Sequence, residues 1–192
     1  MTTGGVLEFV RRLLRLKNVQ RAGWRIRGIR DCESVADHTC GTAVVCMLLC
    51  DILRARGQDL DAERVLRLAL LHDWGEAVIG DIPQPADSLL EPGRKAEIEE
   101  AAVQGLTRPL GSVGAEYLEL WREYESAATP EARLVRAADK LEMLMQAAEY
   151  EHVGYRCLGD FWEKRRSRPF FEEFPPVAEL VAELESRRPA PR

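Results

Sequence analysis

Apolar positions recur along the chain at spacings of three and four residues rather than two, and the pattern divides into a succession of helices. The first covers Val6 to Leu16, where Val6, Phe9, Val10, Leu13, Leu14 and Leu16 are interleaved with arginines to give one wide apolar face. From Asn18 to Asp31 the pattern lapses. Arg21, Gly23, Trp24, Arg25, Arg27, Gly28 and Arg30 follow one another without a steady period, which predicts a loop. Ser34, with Asp37 three residues on, reads as an N-cap and its reciprocal acid, opening a helix that runs to about Arg56 and stops at Gly57.

A second strongly apolar helix is expected from about Asp61 to Ala77. Gly75 within it costs about 1 kcal/mol relative to alanine, which marks a place where the helix loosens or another segment comes close. Three prolines and Asp87 between Asp81 and Gly93 predict a loop. Arg94 to Leu106, Gly114 to Ser126 and Pro130 to Tyr150 read as three more helices, the last with proline suited to its first turn. That helix carries the apolar stripe Leu134, Val135, Ala138, Leu141, Leu144, Met145 and Ala148. Beyond Glu151 a mixed aromatic stretch leads to a short helix from about Val177 to Glu185, and the closing SRRPAPR is expected to fray. No period-two alternation bounded by turns is present, so the chain is read as all-α.

Composition narrows the reading further. The chain has 192 residues, 46% hydrophobic and 31% charged, which suits one compact helical bundle over 1–192. Its core is expected at about 33–150, with an N-terminal helix at 5–17 and a C-terminal extension at 151–192. A net charge of −5 argues against nucleic acid as a partner, while a local arginine cluster still allows a small anionic substrate. No apolar run is read as approaching the roughly 20 residues that span a bilayer, and arginines occupy the start where a secretory signal needs an apolar core. The expectation is a cytoplasmic protein with no membrane partner. The five cysteines lack a CxxC pair; Cys46 and Cys50, at helical spacing among leucines, read as buried small hydrophobes, with a thiolate metal site as the alternative.

The chemistry concentrates in LRLALLHDWGEAVIGDIPQP, Leu66 to Pro85. Leu66, Leu68, Ala69, Leu70 and Leu71 leave little of this helix for water, so His72, Asp73, Glu76 and Asp81 at its exit need partners, and a metal ion would supply one. On a continuous helix Glu76, four past His72 and three past Asp73, projects to the same side. His38 in ESVADHT and Asp139 in RAADKLEML complete a His…His-Asp…Asp pattern, each near a strongly helical segment.

Those residues and their flanks carry a resemblance. GWRIRGIRDCESVADHT, LLHDWGEAVIGDI with the PADSLL loop, and AADKLEMLMQAAEYE resemble the YfbR-like HD-domain 5'-deoxynucleotidases, especially their eukaryote-type branch, over nearly the full chain. The resemblance implies an HD-domain helical bundle and His38, His72, Asp73 and Asp139 as ligands of one divalent metal. It also implies Glu76 and Asp81 as catalytic carboxylates, and a homodimer. Some members place an arginine immediately before the tryptophan matching Trp24 and use it on the substrate phosphate; here Gly23 stands there. Arg27 or Arg25 is then the expected phosphate grip with Trp24 walling the pocket, and Lys95 is the next candidate.

Phosphate monoesters need acceleration of up to ~10²¹-fold, against 10² to 10⁴ from general acid–base catalysis, so carboxylates alone fall far short. Two imidazoles and two carboxylates suit manganese, cobalt, nickel, iron or zinc. HD proteins that bind two metals generally take extra histidines from the interval between the His-Asp pair and the final aspartate; here none lies between Asp73 and Asp139 and His152 reads as a surface or loop residue, so the resemblance implies one ion. The reaction implied is phosphate release from deoxyribonucleoside 5'-monophosphates. The rivals are the same site acting on another nucleotide or phosphorylated metabolite, and a non-catalytic helical metal-binding protein. A purely structural site has no use for Glu76 and Asp81 beyond the ligands, which favours an enzyme.

Overall fold

A computed structural model describes residues 1–87, 89–163 and 170–188, and among these the chain is helical throughout. Among the described residues the single β feature is an isolated antiparallel bridge between Gln20 and Ser34. The helices in order are α1 (Thr3–Leu13), α2 (Ala22–Arg25), α3 (Val35–Ala55), α4 (Ala62–Leu71), α5 (Glu76–Ile79) and α6 (Gln84–Asp87), then α7 (Arg94–Thr107), α8 (Ser112–Ser126), α9 (Pro130–His152), α10 (Gly159–Glu163), α11 (Phe170–Glu173) and α12 (Pro175–Ser186). Short 3-10 turns at Leu14–Asn18 and Arg108–Leu110 extend α1 and α7.

Two compact units emerge. One comprises Met1–Cys40 with Leu70–Ala128, the other Gly41–Ala69 with Thr129–Arg192. In the first, Phe9, Leu16, Val35, Ala77, Leu106 and Leu110 form a buried cluster, and Leu71, Val103, Leu118 and Trp121 form a second. Trp74 and Tyr117 pack against both clusters. Gly5 is required here because a Cβ on it would meet the Pro109 carbonyl oxygen at 2.1 Å. In the second unit most of the apolar stripe of α9 is buried, with Leu134, Val135, Ala138, Leu141 and Leu144 inaccessible and Met145 half-buried. Bidentate pairs from Arg56 to Glu179 and from Arg188 to Glu151 fasten the C-terminal helices to this unit.

The start of α3 forms as its sequence dictates. The Ser34 N–H donates to Asp37 Oδ2 at 2.9 Å and the Asp37 N–H to Ser34 Oγ at 3.2 Å, the reciprocal cap that satisfies two end amides. Gly57, at φ +84°, turns the chain just past the end of α3. Cys46 and Cys50 are buried as small hydrophobes, and burial pushes the Cys46 thiol far up.

Several expectations are corrected. The apolar helix at 61–77 is broken in two: Trp74, Glu76 and Ala77 donate to the carbonyls three residues back, so the four-residue ladder lapses between α4 and α5. Gly75 has ordinary helical angles, and a Cβ there would stand 3.4 Å from the Glu99 carbonyl, so the chain tightens without being crowded. The 18–31 stretch contains α2, and the proline loop contains α6. The mixed stretch after Glu151 adds α10 and α11. The closing segment does not fray through Arg188, which is paired with Glu151; its last four residues lie outside the described residues. Finally, α3 is long and apolar enough to cross a bilayer by length and composition, with mean hydropathy 1.4, contrary to the sequence reading. One face of it is core, with Cys46, Leu49, Cys50 and Leu53 buried, while Val44, Met47 and Leu48 are exposed.

Candidate metal centre

The helix break builds the site in the first unit. In a continuous helix the Glu76 N–H would bond the His72 carbonyl; here it bonds Asp73 at 3.0 Å, leaving the His72 carbonyl to another donor. Trp121 of α8 supplies it, its indole N–H reaching the His72 oxygen at 3.3 Å. The ring of His72 also lies against that of Tyr124, 5.4 Å between centroids. Thus α8 holds the imidazole from behind. His38, in the first turns of α3, is wholly buried, and its ring centroid lies 5.4 Å from that of His72.

Asp73 is the meeting point. Its Oδ2 lies 3.2 Å from His72 Nε2, 3.8 Å from His38 Nε2 and 3.4 Å from Arg21 Nη1. Burial works to raise this carboxyl, but the two imidazoles and the guanidinium outweigh it and hold the group well below the usual carboxylate range. Glu76 opens α5, 6% exposed, with Oε2 making no hydrogen bond among the described residues. Burial first, then the neighbouring charges of Asp73 and Asp81, push its carboxyl up to about 10 against the opposing pull of Arg21. Asp81 follows the Gly80 turn at φ +81° and accepts the Ala22 N–H at 2.6 Å, capping the first amide of α2 across the unit. Lys95 of α7 stands 3.6 Å from Glu99; burial favours losing its proton, and Glu99, Asp87, Glu76 and Asp73 more than reverse that. Glu99 itself is pushed up to about 7, by burial above all and despite Lys95.

The donors fit a cation. Two ligand atoms at right angles on an ion with bonds near 2.1 Å stand about 3 Å apart, close to the His72 to Asp73 separation. A ring nitrogen of His38 and one of His72 lie within 4.8 Å of one another. The crowding of carboxylates that drives Glu76 upward is the excess negative charge a bound cation relieves.

The other sequence candidates fall as follows. Trp24 is 1% exposed and donates its indole N–H to Glu33 at 2.7 Å, so it is part of the unit's core. Arg25 donates to the Arg30 carbonyl at 2.9 Å and Arg27 to the Gly23 carbonyl at 2.6 Å, both within their own loop. In the second unit, Asp139 is 4% exposed in the middle of α9, 2.9 Å from Lys140 Nζ. His152 ends α9 at the surface, its Nδ1 on the Ala148 carbonyl. Sequence reasoning missed Arg21, because scattered arginines carry no period, and missed Glu99, because a glutamate four residues past a lysine reads as an exposed helix pair.

Residues 13–168 match the HD-domain family. A mouse protein named 5'-deoxynucleotidase HDDC2 is 37% identical over 189 residues, covering 97% of this chain and 89% of that protein. The human protein of the same name is also 37% identical, covering 95% of this chain and 86% of its own length. A solved structure described as a conserved hypothetical protein from Pyrococcus furiosus has TM-score 0.83 and 36% identity over 94% of this chain and 99% of that one. With the paired histidines and the His-Asp turn in place, the chain belongs to the HD-domain family.

Proposed function

We propose that the protein is a metal-dependent phosphohydrolase releasing phosphate from deoxyribonucleoside 5'-monophosphates. The observation that carries it is the convergence of two buried imidazoles on the Asp73 carboxylate, beside a buried glutamate whose Oε2 makes no hydrogen bond among the described residues. The similarity to proteins named 5'-deoxynucleotidase supports the substrate class. His38, His72 and Asp73 would hold one divalent ion, with Asp139 as the fourth ligand; a nearly inaccessible aspartate on an apolar helix stripe supports that role. The nitrogen and oxygen donors suit manganese, cobalt, nickel, iron or zinc.

A bound ion would supply positive charge to the phosphoryl oxygens and an acidified water. Glu76 and Asp81 do the proton work in this reading. Glu76 is enclosed and favours its neutral form before a cation arrives, while Asp81 is oriented by the Ala22 amide. One orients the attacking water and the other serves the leaving 5'-oxygen. Lys95, Arg25, Arg27 and Trp24 are the substrate-side candidates from sequence, and of the four Lys95 is the one whose charge faces the carboxylate cluster. A homodimer belongs to the reading, and the exposed apolar row Val44, Met47 and Leu48 on α3 supports it. The test is phosphate release from a panel of deoxynucleotides and ribonucleotides after chelation and return of single metals. Release that needs a metal and favours deoxynucleoside monophosphates supports the reading; release from other phosphate esters alone replaces its substrate.

A further inference from the structure

We propose that Trp121 is a positioning residue for the metal ligands: its indole N–H holds the chain out of helical register at His72 and thereby brings Glu76 into line with Asp73. This rests on the phosphohydrolase reading and goes beyond it by naming the side chain that sets the geometry of the centre.

Nothing local accounts for the break between α4 and α5. No proline or serine lies between Ala62 and Ile79, and Gly75 has ordinary helical angles. The leucines, Glu76 and Ala77 around it all favour a helix. A helix interrupted without those causes is interrupted by a group inserted at its ladder. That group is Trp121, 3% exposed and packed with Leu71, Val103 and Leu118. It donates at 3.3 Å to the His72 carbonyl, the oxygen that a continuous helix would offer to the Glu76 amide. A buried indole N–H without an acceptor is costly, so the packing of α8 enforces this pairing. Tyr124, three residues on, sets its ring 5.4 Å from that of His72, so one face of α8 holds both the backbone and the side chain of this ligand.

The consequence is angular. The amides of Trp74, Glu76, Ala77 and Val78 all bond three residues back, so the chain is tightened from Leu71 to Val78. In a continuous helix Glu76 would project about 40° from His72 and about 60° from Asp73. With about three residues per turn, side chains three apart eclipse, so Glu76 aligns with Asp73 and moves about 120° away from His72. The histidine is thereby left with Asp73, whose Oδ2 lies 3.2 Å from its Nε2, and the glutamate stands behind the aspartate.

The experiment replaces Trp121 with benzothienylalanine, which keeps the fused rings and puts sulfur in place of the N–H, alongside Trp121→Phe and Leu118→Ala. Each protein is titrated with cobalt, whose visible absorption reports the arrangement of its ligands, and its thermal stability is measured without metal. The sulfur variant is expected to keep its far-ultraviolet circular dichroism while binding cobalt about 10-fold more weakly, with a shifted absorption band. Trp121→Phe is expected to lose at least as much affinity. Leu118→Ala thins the same apolar cluster and leaves the indole bond, so it is expected to lose stability while cobalt affinity and absorption stay near those of wild type. Unchanged cobalt affinity and absorption in the sulfur variant overturn the proposal. So does a loss of affinity in Leu118→Ala as large as in the sulfur variant, which would reduce Trp121 to packing. Wild type that binds cobalt but releases no phosphate from deoxynucleotides with any metal overturns the phosphohydrolase reading alone, and the comparison of cobalt affinities still decides Trp121.

Discussion

Glu76 and Glu151 are withdrawn from water to the same extent, 6% exposed each, yet the chain treats them in opposite ways. Glu151, in the second unit, receives both arms of Arg188 at 2.7 and 2.9 Å, and that guanidinium in turn lies 4.3 Å from the centre of the Trp162 ring. Its two oxygens are matched by a fork of the right shape. Glu76, in the first unit, is crowded by Asp73 and Asp81, and its Oε2 has no hydrogen bond among the described residues. A buried carboxyl pushed toward its neutral form, set beside two buried imidazoles, suits a counter-charge brought from outside the chain. Glu151 serves structure, and in the proposed reading Glu76 serves chemistry.

The comparison predicts how each behaves when broken. Glu76→Ala and Asp81→Ala should retain fold and metal while kcat falls by about 10²-fold or more, read by steady-state kinetics beside metal analysis. Loss of metal along with activity would move these residues among the ligands. Arg188→Ala should do the reverse, leaving kcat per folded molecule intact while chemical denaturation records a loss of about 3 kcal/mol from the stranded Glu151. Replacing both partners by methionine should recover most of that loss, since the stranded charge then goes too.

A smaller effect separates by pH. Glu99 is 15% exposed on its side chain and titrates near 7 in the folded state, above its ordinary value near 4.5. The folded protein therefore binds this proton more tightly than the unfolded chain. Its contribution is complete below about pH 4.5 and is lost as pH rises through about 7, a change on the order of 2 kcal/mol. The stability of wild type relative to Glu99→Gln should fall across that window; a constant difference would mean that Glu99 titrates normally. Smallest is the cap of α3. Ser34→Ala should cost about 1 kcal/mol, and a larger drop with loss of metal would show that the cap also sets His38.

What the sequence could convey depended on whether the cause was local. Ser34 and Asp37 interact across three residues, so the start of α3 and the position of His38 were legible, as was the stripe of α9 that buries Asp139. The apolar run through Leu71 was legible as a helix, but its rupture at His72 was not. A leucine pattern describes which face is buried and is silent on whether Glu76 bonds His72 or Asp73, a choice tied to the Trp121 donor 49 residues away. The arginine loop shows the same limit: Arg21, Arg25 and Arg27 are alike in the sequence, and only the Asp81 anchor on Ala22 separates the one that faces Asp73.

The central claim, that this centre hydrolyses deoxynucleotides through a bound metal, is tested most directly by chelating the protein, restoring one metal at a time and measuring phosphate released from deoxyribonucleoside 5'-monophosphates by wild type and His72→Ala. The account predicts no release after chelation, recovery with at least one of manganese, cobalt, nickel, iron or zinc at about one ion per chain, and none from His72→Ala under any of them. Release that persists without metal, or that His72→Ala performs as well as wild type, would contradict it.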